Sequence, residues 1–347
     1  MNNRIIIASL LTGMLVARPA SAQTGSPATA TPAPPQGCRA ILQVQGKELD
    51  LFLVRKTGDQ LYFRMPQAPA NALSAIKVES VQAAEFPIEP DDFAIFEATR
   101  TRQWRQAAEL ILKTIGPCMS FLDLPKNNAA QPALDAGFYL MRAAGAARGK
   151  DGAMTVAASN FYEQASQVYR QIAAAEWFNG REQARLRAAL CQTACGKLDQ
   201  AAKWLQEARI PDPGDGDYGL YQLAEANLLF AQGKTLDACN AAARSAAFEN
   251  KDPQVFPDGL LLSARCHEEL KDYYRARDIY FEVARLFGST EWSEQAFARL
   301  TIIMDNRLTA EKENAIIAKV FFGSEEDMQK VIEDFVAKRR DQTDKTK

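Results

Sequence analysis

The side chains best suited to chemistry are few in this chain of 347 residues, which holds a single histidine, His267, and six cysteines. Nucleophilic triads and the usual zinc sites need a histidine together with cysteine, serine or carboxylate side chains at fixed positions. His267 falls at a helical position expected to face the core, and Cys266 beside it points to another side of that helix. We therefore predict no catalytic residue, no metal site and no cofactor.

The cysteines are even in number, which permits disulfide bonds if the chain is exported. Cys191 and Cys195 lie four residues apart on one helix face, where two side chains are usually too splayed for a relaxed disulfide. That spacing also differs from the C-x-x-C of thiol redox enzymes. Four of the six fall in apolar helical patterns, where a buried thiol is common. The pairing stays open among Cys38, Cys118, Cys191, Cys195, Cys239 and Cys266.

Pairs of carboxylates give little support to glycoside hydrolysis. Asp91–Asp92 and Glu268–Glu269 are adjacent in sequence, and adjacent residues of a helix do not converge on one substrate. The glycine-rich segment Gly149 to Gly152 lacks the following Lys-Ser/Thr that a phosphate-binding loop requires. These motifs favour a protein that is not an enzyme.

The first residues have the pattern of a secretory signal peptide. Arg4 precedes an apolar stretch over 5–17, and Ala20-Ser21-Ala22 is a small-residue cleavage site. We predict a signal peptide over 1–22 and a disordered linker rich in Pro, Thr and Ala over 23–37. No later segment has the length and apolarity of a transmembrane helix, so no membrane span is expected after cleavage.

Charge excludes two classes of partner. The chain has 41 Lys and Arg against 43 Asp and Glu, a formal net charge of −2. Nucleic acids and anionic membranes need concentrated basic residues, so neither is expected as a partner.

A small β domain is predicted over 38–88. Leu49, Leu51 and Leu53 alternate with polar or outward positions, and a turn at Thr57-Gly58-Asp59 begins a second alternating run. Strands predicted at 40–44 and 75–81 complete four short strands, which resemble an SH3-like or Sm-like half barrel. So small a unit buries little surface, and we expect it to pack on the helices that come after it in the chain.

From Pro90 the apolar period becomes 3.6, which predicts a mainly α-helical domain over 89–340 and a disordered tail over 341–347. The first helix is expected to start at Asp91-Asp92 and to end at Gly116-Pro117. Further helices are expected over 132–148 and 153–175, and then in pairs.

A repeat appears in the alanines of the paired helices. Ala201, Ala238 and Ala276 are separated by 37 and 38 residues, and another alanine stands twelve residues before each, at Ala189, Ala226 and Ala264. Two antiparallel helices that cross closely need small side chains at the crossing. Gly196 and Gly233 take the turns, and Lys271 replaces them in the third copy. Ala298 and Ala310 keep the twelve-residue spacing and suggest a fourth.

This register resembles the tetratricopeptide repeat family, with a few extra loop residues per unit. Leu198 and Thr235 occupy the usual aromatic position, and only Tyr273 meets it. The last clear unit is similar to repeats of periplasmic proteins of the BamD and YbgF groups. The resemblance implies a solenoid of antiparallel helix pairs, and with the signal peptide it implies the periplasm of a Gram-negative-type envelope.

The resemblance also implies a concave groove lined by the first helix of each pair, which binds a protein or peptide partner of the cell envelope. Asn227 is expected to contact the peptide backbone, with Leu223 and Phe230 as anchors. The lining is expected to be mostly apolar, without the aligned basic residues that hold a C-terminal carboxylate. The implied groove residues are Leu186, Leu190, Leu220, Leu223, Asn227, Phe230, Leu261 and Arg265.

Three alternatives remain at this point. The leucines of the implied groove could instead contact neighbouring helices. A glycan- or peptidoglycan-associated enzyme with an unrecognised site is a second function, and a self-associating structural component is a third. The sequence does not fix the oligomeric state.

Overall fold

The computed structural model describes residues 37–69, 72–149, 152–248, 253–324, 326–327 and 330. The predicted signal peptide, residues 23–36 of the linker and the predicted tail lie outside the described residues. The described chain is mainly helical, with a small antiparallel sheet at its N-terminal end.

The sheet has five strands in the order β4-β3-β2-β1-β5, and every neighbouring pair is antiparallel. Alternate residues of the strands face the core, and Leu42, Leu51, Leu53 and Leu61 are all fully buried. The strands are β1 (Cys38–Val44), β2 (Lys47–Thr57), β3 (Gln60–Arg64), β4 (Ser74–Lys77) and β5 (Val81–Glu85).

The strand predicted over 75–81 is wrong as a single element. Strand β4 ends at Lys77, a short 3-10 turn occupies Val78–Ser80, and β5 then crosses to the opposite edge of the sheet beside β1. The four-residue β4 pairs only with β3. Local alternation does not reveal such a crossover, because both halves keep the same period.

The sheet packs on the first helices, as expected for so small a unit. Ala84 donates its backbone N–H to the carbonyl of Pro125 at 3.0 Å. The Asn128 side chain accepts from the N–H of Phe86 at 2.9 Å and donates to its carbonyl at 2.8 Å. Leu42 and Leu53 share one buried cluster with residues of these helices. The sheet and the first helices therefore have a common core.

The described residues form twelve α-helices: α1 (Asp92–Arg100), α2 (Trp104–Ile115), α3 (Ala130–Ala146), α4 (Val156–Ala173), α5 (Arg181–Ala194), α6 (Leu198–Glu207), α7 (Tyr218–Ala231), α8 (Thr235–Ala247), α9 (Val255–Glu269), α10 (Tyr273–Leu286), α11 (Glu291–Asp305) and α12 (Glu311–Phe322). None of these described helices combines the length and apolarity needed to cross a bilayer.

The single helix expected from Asp91 to Gly116 is two helices. Asp91 caps α1 by accepting from the N–H of Ala94 at 2.9 Å, as its position predicts. The chain then turns at Arg102, whose φ of 58° is left-handed and ends the first helix. Helix α2 begins two residues later and carries the buried face that the sequence indicates.

Helices from α3 to α11 pack on their neighbours in sequence, and α5 also contacts α7, α7 contacts α9, and α9 contacts α11. The six alanines of the predicted repeat lie on helices that contact each other in pairs, α5 with α6, α7 with α8 and α9 with α10. Ala189, Ala201, Ala226, Ala238, Ala264 and Ala276 are all fully buried. Methyl side chains let the two backbones of each pair approach closely.

The turns of the three pairs share one backbone conformation. Gly196 has a φ of 73° and Gly233 a φ of 76°, and Lys271 adopts 65° at the equivalent position. Lysine at a left-handed position costs more than glycine, so the third turn is strained relative to the other two.

The fourth copy suggested by Ala298 and Ala310 is not formed in the same way. Ala298 is half-buried, and Ala310 is an exposed residue at the start of α12. Helix α12 packs mainly on α10. The twelve-residue spacing of these two alanines therefore does not mark a close helix crossing.

Candidate functional site

The odd-numbered helices α3, α5, α7, α9 and α11 line one concave surface, which we call the groove. It contains two depressions of about 170 and about 450 Å³. Arg148, Leu261, Arg265 and Gln295 line both depressions, so the two are continuous.

Seven of the eight residues implied by the family resemblance line the groove. Leu190, Leu220, Leu223 and Asn227 line the first depression, Phe230 lines the second, and Leu261 and Arg265 line both. Leu186 lines neither depression. It is 1% exposed and packs in a buried cluster with Ala208 and Leu220.

Those seven residues differ in what they offer to a ligand. Leu220, Leu223 and Leu261 are buried and form the floor, where they also contact neighbouring helices. Leu190, Asn227 and Phe230 are half-buried and Arg265 is exposed. The Asn227 side-chain nitrogen donates to the Leu223 carbonyl at 2.8 Å, so it serves its own helix. The accessible contacts are therefore two apolar side chains, one amide and one guanidinium.

The lining is more basic than the sequence predicts. Arg142 of α3, Arg148 directly after that helix and Arg187 of α5 join Arg265 in the first depression. Helix α3 precedes the recognisable repeats, so the repeat register could not place its residues on the groove. Arg187 could have been found, because it lies three residues before Leu190 and such residues share a helix face.

Arg142 closes the floor of the groove between α3 and α11. It forms an ion pair with Glu291, 149 residues away, and both side chains are nearly buried, at 10% and 13% exposure. Its guanidinium carbon lies 4.0 Å from the ring centroid of Trp292 and 5.4 Å from that of Trp104. Trp292 in turn donates to the Asp258 carboxylate at 2.6 Å. These contacts join α2 and α3 to α11, and α11 to α9.

Arg148 and Arg265 have a different environment. Arg148 donates to the Gly152 carbonyl at 3.1 Å and to the Tyr162 hydroxyl at 3.5 Å. Arg265 lies over the Phe230 ring, 5.0 Å from its centroid. Within the described part of the chain, neither guanidinium forms an ion pair with a carboxylate.

The electrostatics of this region favour an anion. Although the Arg265 side chain is exposed at the surface, the surrounding helices partly desolvate it, which lowers its pKa, and the positive charges of Arg148 and Arg299 lower it further. The Glu268 carboxylate forms an ion pair with Arg299 and accepts a hydrogen bond from the Tyr280 hydroxyl at 3.0 Å. It therefore does not offset the positive charge of Arg265. A carboxylate between Arg148 and Arg265 would meet two guanidinium groups that form no ion pair with a described carboxylate, although Glu268 and Glu269 also line the second depression.

A second cluster places a thiol, an imidazole and a carboxylate in a row. The Cys239 sulfur lies 3.5 Å from His267 Nε2, and His267 Nδ1 lies 3.2 Å from an Asp272 carboxylate oxygen. The sequence did not reveal this cluster, because Cys239 stands on α8 and His267 on α9. His267 is half-buried, as expected of a histidine with partners on both nitrogens.

The row lacks the properties of a nucleophilic site. Cys239 is only 8% exposed, and burial raises its pKa, although a hydrogen bond with Ser263 acts against the increase. A neutral, buried thiol is a poor nucleophile. None of the three side chains lines either depression of the groove. The cluster links α8, α9 and the start of α10 by polar contacts, and His267 and Asp272 also line a separate open depression outside the groove.

No protein-family model matches this sequence, and no curated protein or solved structure matches it either. Among the described side chains, no group of three or more His, Cys, Asp or Glu residues is arranged to hold a metal ion.

Proposed function

We propose that this chain is an exported, non-enzymatic scaffold that holds a segment of another cell-envelope protein in the groove. Under this proposal the helix pairs form a tetratricopeptide-like solenoid, and the small sheet is an SH3-like or Sm-like half barrel attached to it. The register of the buried alanines and the contacts between successive odd-numbered helices support the solenoid.

One observation carries the proposal: the groove combines accessible apolar side chains with two arginines that lack carboxylate partners among the described residues. Leu190 and Phe230 offer apolar contacts, and Arg148 and Arg265 offer charged donors. An occupant that suits both must have apolar side chains and at least one carboxylate. A peptide segment with Asp or Glu beside Leu, Phe or similar residues has this chemistry.

The dimensions favour a segment over a compact small molecule. Drug-sized ligands are usually enclosed in a single cavity of roughly 300–1,000 Å³. Here a depression of about 170 Å³ opens into one of about 450 Å³, so the groove is an open surface across helices α3 to α11 and not one enclosed cavity. A continuous surface of this kind suits an elongated occupant.

Export rests on the sequence of 1–22, which lies outside the described residues. The periplasm is inferred from that signal and from the family resemblance together.

The two alternative functions, an enzyme and a self-associating component, have less support. The buried thiol of Cys239 is a weak basis for a hydrolase. No feature of the groove specifically indicates self-association. Light scattering of the pure protein tests this alternative.

The proposal is tested by crosslinking in cells. A photoreactive amino acid replaces Asn227 in the groove, and in a matched strain it replaces Lys203, whose side chain on α6 is 77% exposed and lines neither depression. We expect one envelope protein to be crosslinked at 227 and not at 203, and its yield to fall when Phe230→Glu is added. Equal products at both positions, or none at 227, would contradict the proposal.

A further inference from the structure

The thiols of Cys38 and Cys118 lie in contact although the residues are 80 positions apart in sequence. Their sulfur atoms are 3.2 Å apart, and the residues are 5% and 3% exposed. Cys38 begins β1, and Cys118 stands in the 3-10 turn over Gly116–Phe121 that comes after α2. Both belong to the core shared by the sheet and the first helices.

The contact is specific among the cysteines. All six lie in the described part of the chain, and only this pair makes a thiol-to-thiol contact. Cys191 and Cys195 are neighbours on one helix, and Cys195 instead contacts the Ser159 carbonyl at 3.8 Å. Cys239 faces His267. Chance clustering of thiols in a cysteine-rich core therefore does not explain the pair.

We propose that Cys38 and Cys118 form a disulfide bond that ties the inner strand β1 to the helical domain. The two thiols give up two protons and two electrons as the sulfur–sulfur bond forms. The oxidant is a disulfide of the thiol-oxidoreductase or oxidised-glutathione class, which accepts the electrons and is released as two thiols. The sulfurs need to approach by only about 1 Å to reach disulfide length.

The position of the disulfide indicates that it would stabilise the sheet. Strand β1 is hydrogen-bonded to β2 on one side and to β5 on the other, so a link at its first residue holds the sheet through its interior. A sheet of this size does not bury enough apolar surface to be robust alone. The link closes a loop of about 80 residues, and such loops give large entropic stabilisation of the folded state.

The burial of the two thiols determines when the disulfide can form. With both thiols nearly inaccessible, an oxidant reaches them while the chain folds or opens, and the finished bond is shielded from reductants. The bond is therefore expected to form during folding in an oxidising compartment and to persist afterwards. This inference rests on the sulfur contact and does not depend on the proposed groove function.

Peptide mapping of the full-length chain tests the inference. The reduced, denatured protein is refolded with oxidised and reduced glutathione, denatured again and alkylated with iodoacetamide. We expect two of the six cysteines to resist alkylation and a single linked peptide pair to contain Cys38 and Cys118. Alkylation of all six, or linkage between other cysteines, would overturn the proposal.

Matched variants separate the bond from general folding defects. Cys38→Ser and Cys118→Ser are each expected to lower the Tm by about 5 °C, and to match reduced wild type. Cys191→Ser is the control, because it leaves the linked peptide intact. Should the first two variants fail to fold, the mapping of the wild-type chain still decides the question.

Discussion

Arg142 on α3 and Glu291 on α11 form a nearly buried ion pair that joins helices 149 residues apart in sequence. The Arg142 guanidinium also lies against Trp104 and Trp292, whose rings exclude water from the pair. The contact thus brings α3 and α11 together across the groove. Arg142 and Glu291 both line the first depression, so this contact forms part of the groove.

The first prediction concerns this ion pair. Glu291→Ala leaves Arg142 buried without its carboxylate, and we expect a loss of about 3 kcal/mol in the free energy of unfolding. Urea unfolding of the two single variants and the double variant gives the coupling energy directly. The control is the exposed pair Arg105–Glu109, where coupling below about 1 kcal/mol is expected. Equal coupling in the two pairs would show that burial does not strengthen the Arg142 contact.

A second prediction concerns the close approach of α8 and α9. A Cβ added at Gly259 would lie 2.3 Å from Ser245 Oγ and 3.2 Å from the Ala246 nitrogen. The helices must then separate, and we expect Gly259→Ala to destabilise the fold by about 1–3 kcal/mol.

The control for this variant is Gly145→Ala within α3, where no atom lies within 4 Å of the added Cβ. Alanine favours helix, so this substitution should stabilise by about 0.5–1 kcal/mol. Thermal unfolding monitored by circular dichroism compares the two. A Gly259→Ala protein as stable as the Gly145→Ala protein would contradict the close packing of α8 on α9.

The sequence predicts local structure in this chain better than long-range contact. The alternation of Leu49, Leu51 and Leu53 reflects periodicity within a strand, and the register of the six alanines relates helices that are neighbours in sequence. The crossover from β4 to β5 leaves no such trace. Nor does the pairing of Arg142 with Glu291, because neither residue type nor spacing relates positions that far apart.

The groove residues show the same difference between what local sequence predicts and what long-range packing decides. Seven of its residues are placed by the repeat register, whereas Arg142 lies on α3 and Arg148 directly after it, in a part of the chain where no repeat is visible. Leu186 fits the register but is turned into the packing between helices, where Ala208 and Leu220 cover it. Register fixes the position of a residue along a helix, and the neighbouring helix decides how much of it is exposed.

The third prediction concerns alkaline pH. Burial raises the pKa of Cys266 to about 12 and also raises that of Cys191. An exposed thiol has a pKa near 8.5, so the unfolded chain loses these protons first as the pH rises. The stabilisation is complete below about pH 8.5 and is lost progressively above it.

Denaturant unfolding between pH 8 and 10.5 measures this loss in wild type and in Cys191→Ala/Cys266→Ala. The free energy of unfolding should fall more steeply in wild type, by as much as about 1.4 kcal/mol per pH unit for each thiol. The cavity left by alanine shifts the curve without changing its slope. Parallel curves would show that neither thiol is kept protonated by burial.

The fourth prediction concerns Cys239. Burial raises the pKa of both Cys239 and Cys195, but the Cys239 residue is only 8% exposed, so native protein at pH 7.5 should react with iodoacetamide at Cys239 more slowly than at the half-buried Cys195. Mass spectrometry of timed samples gives both rates. Rapid alkylation of Cys239 that disappears in His267→Ala would instead reveal an activated nucleophile and favour the enzyme alternative.

The central claim is that the groove holds a segment with apolar and carboxylate side chains, and selection of random peptides displayed on phage tests it. Peptides enriched on the wild-type protein should combine Asp or Glu with large apolar residues. Their affinity, measured by fluorescence anisotropy, should fall about tenfold or more in Arg265→Glu and little in the exposed control Lys203→Glu. Peptides without carboxylates, or peptides that bind all three proteins equally, would contradict the account.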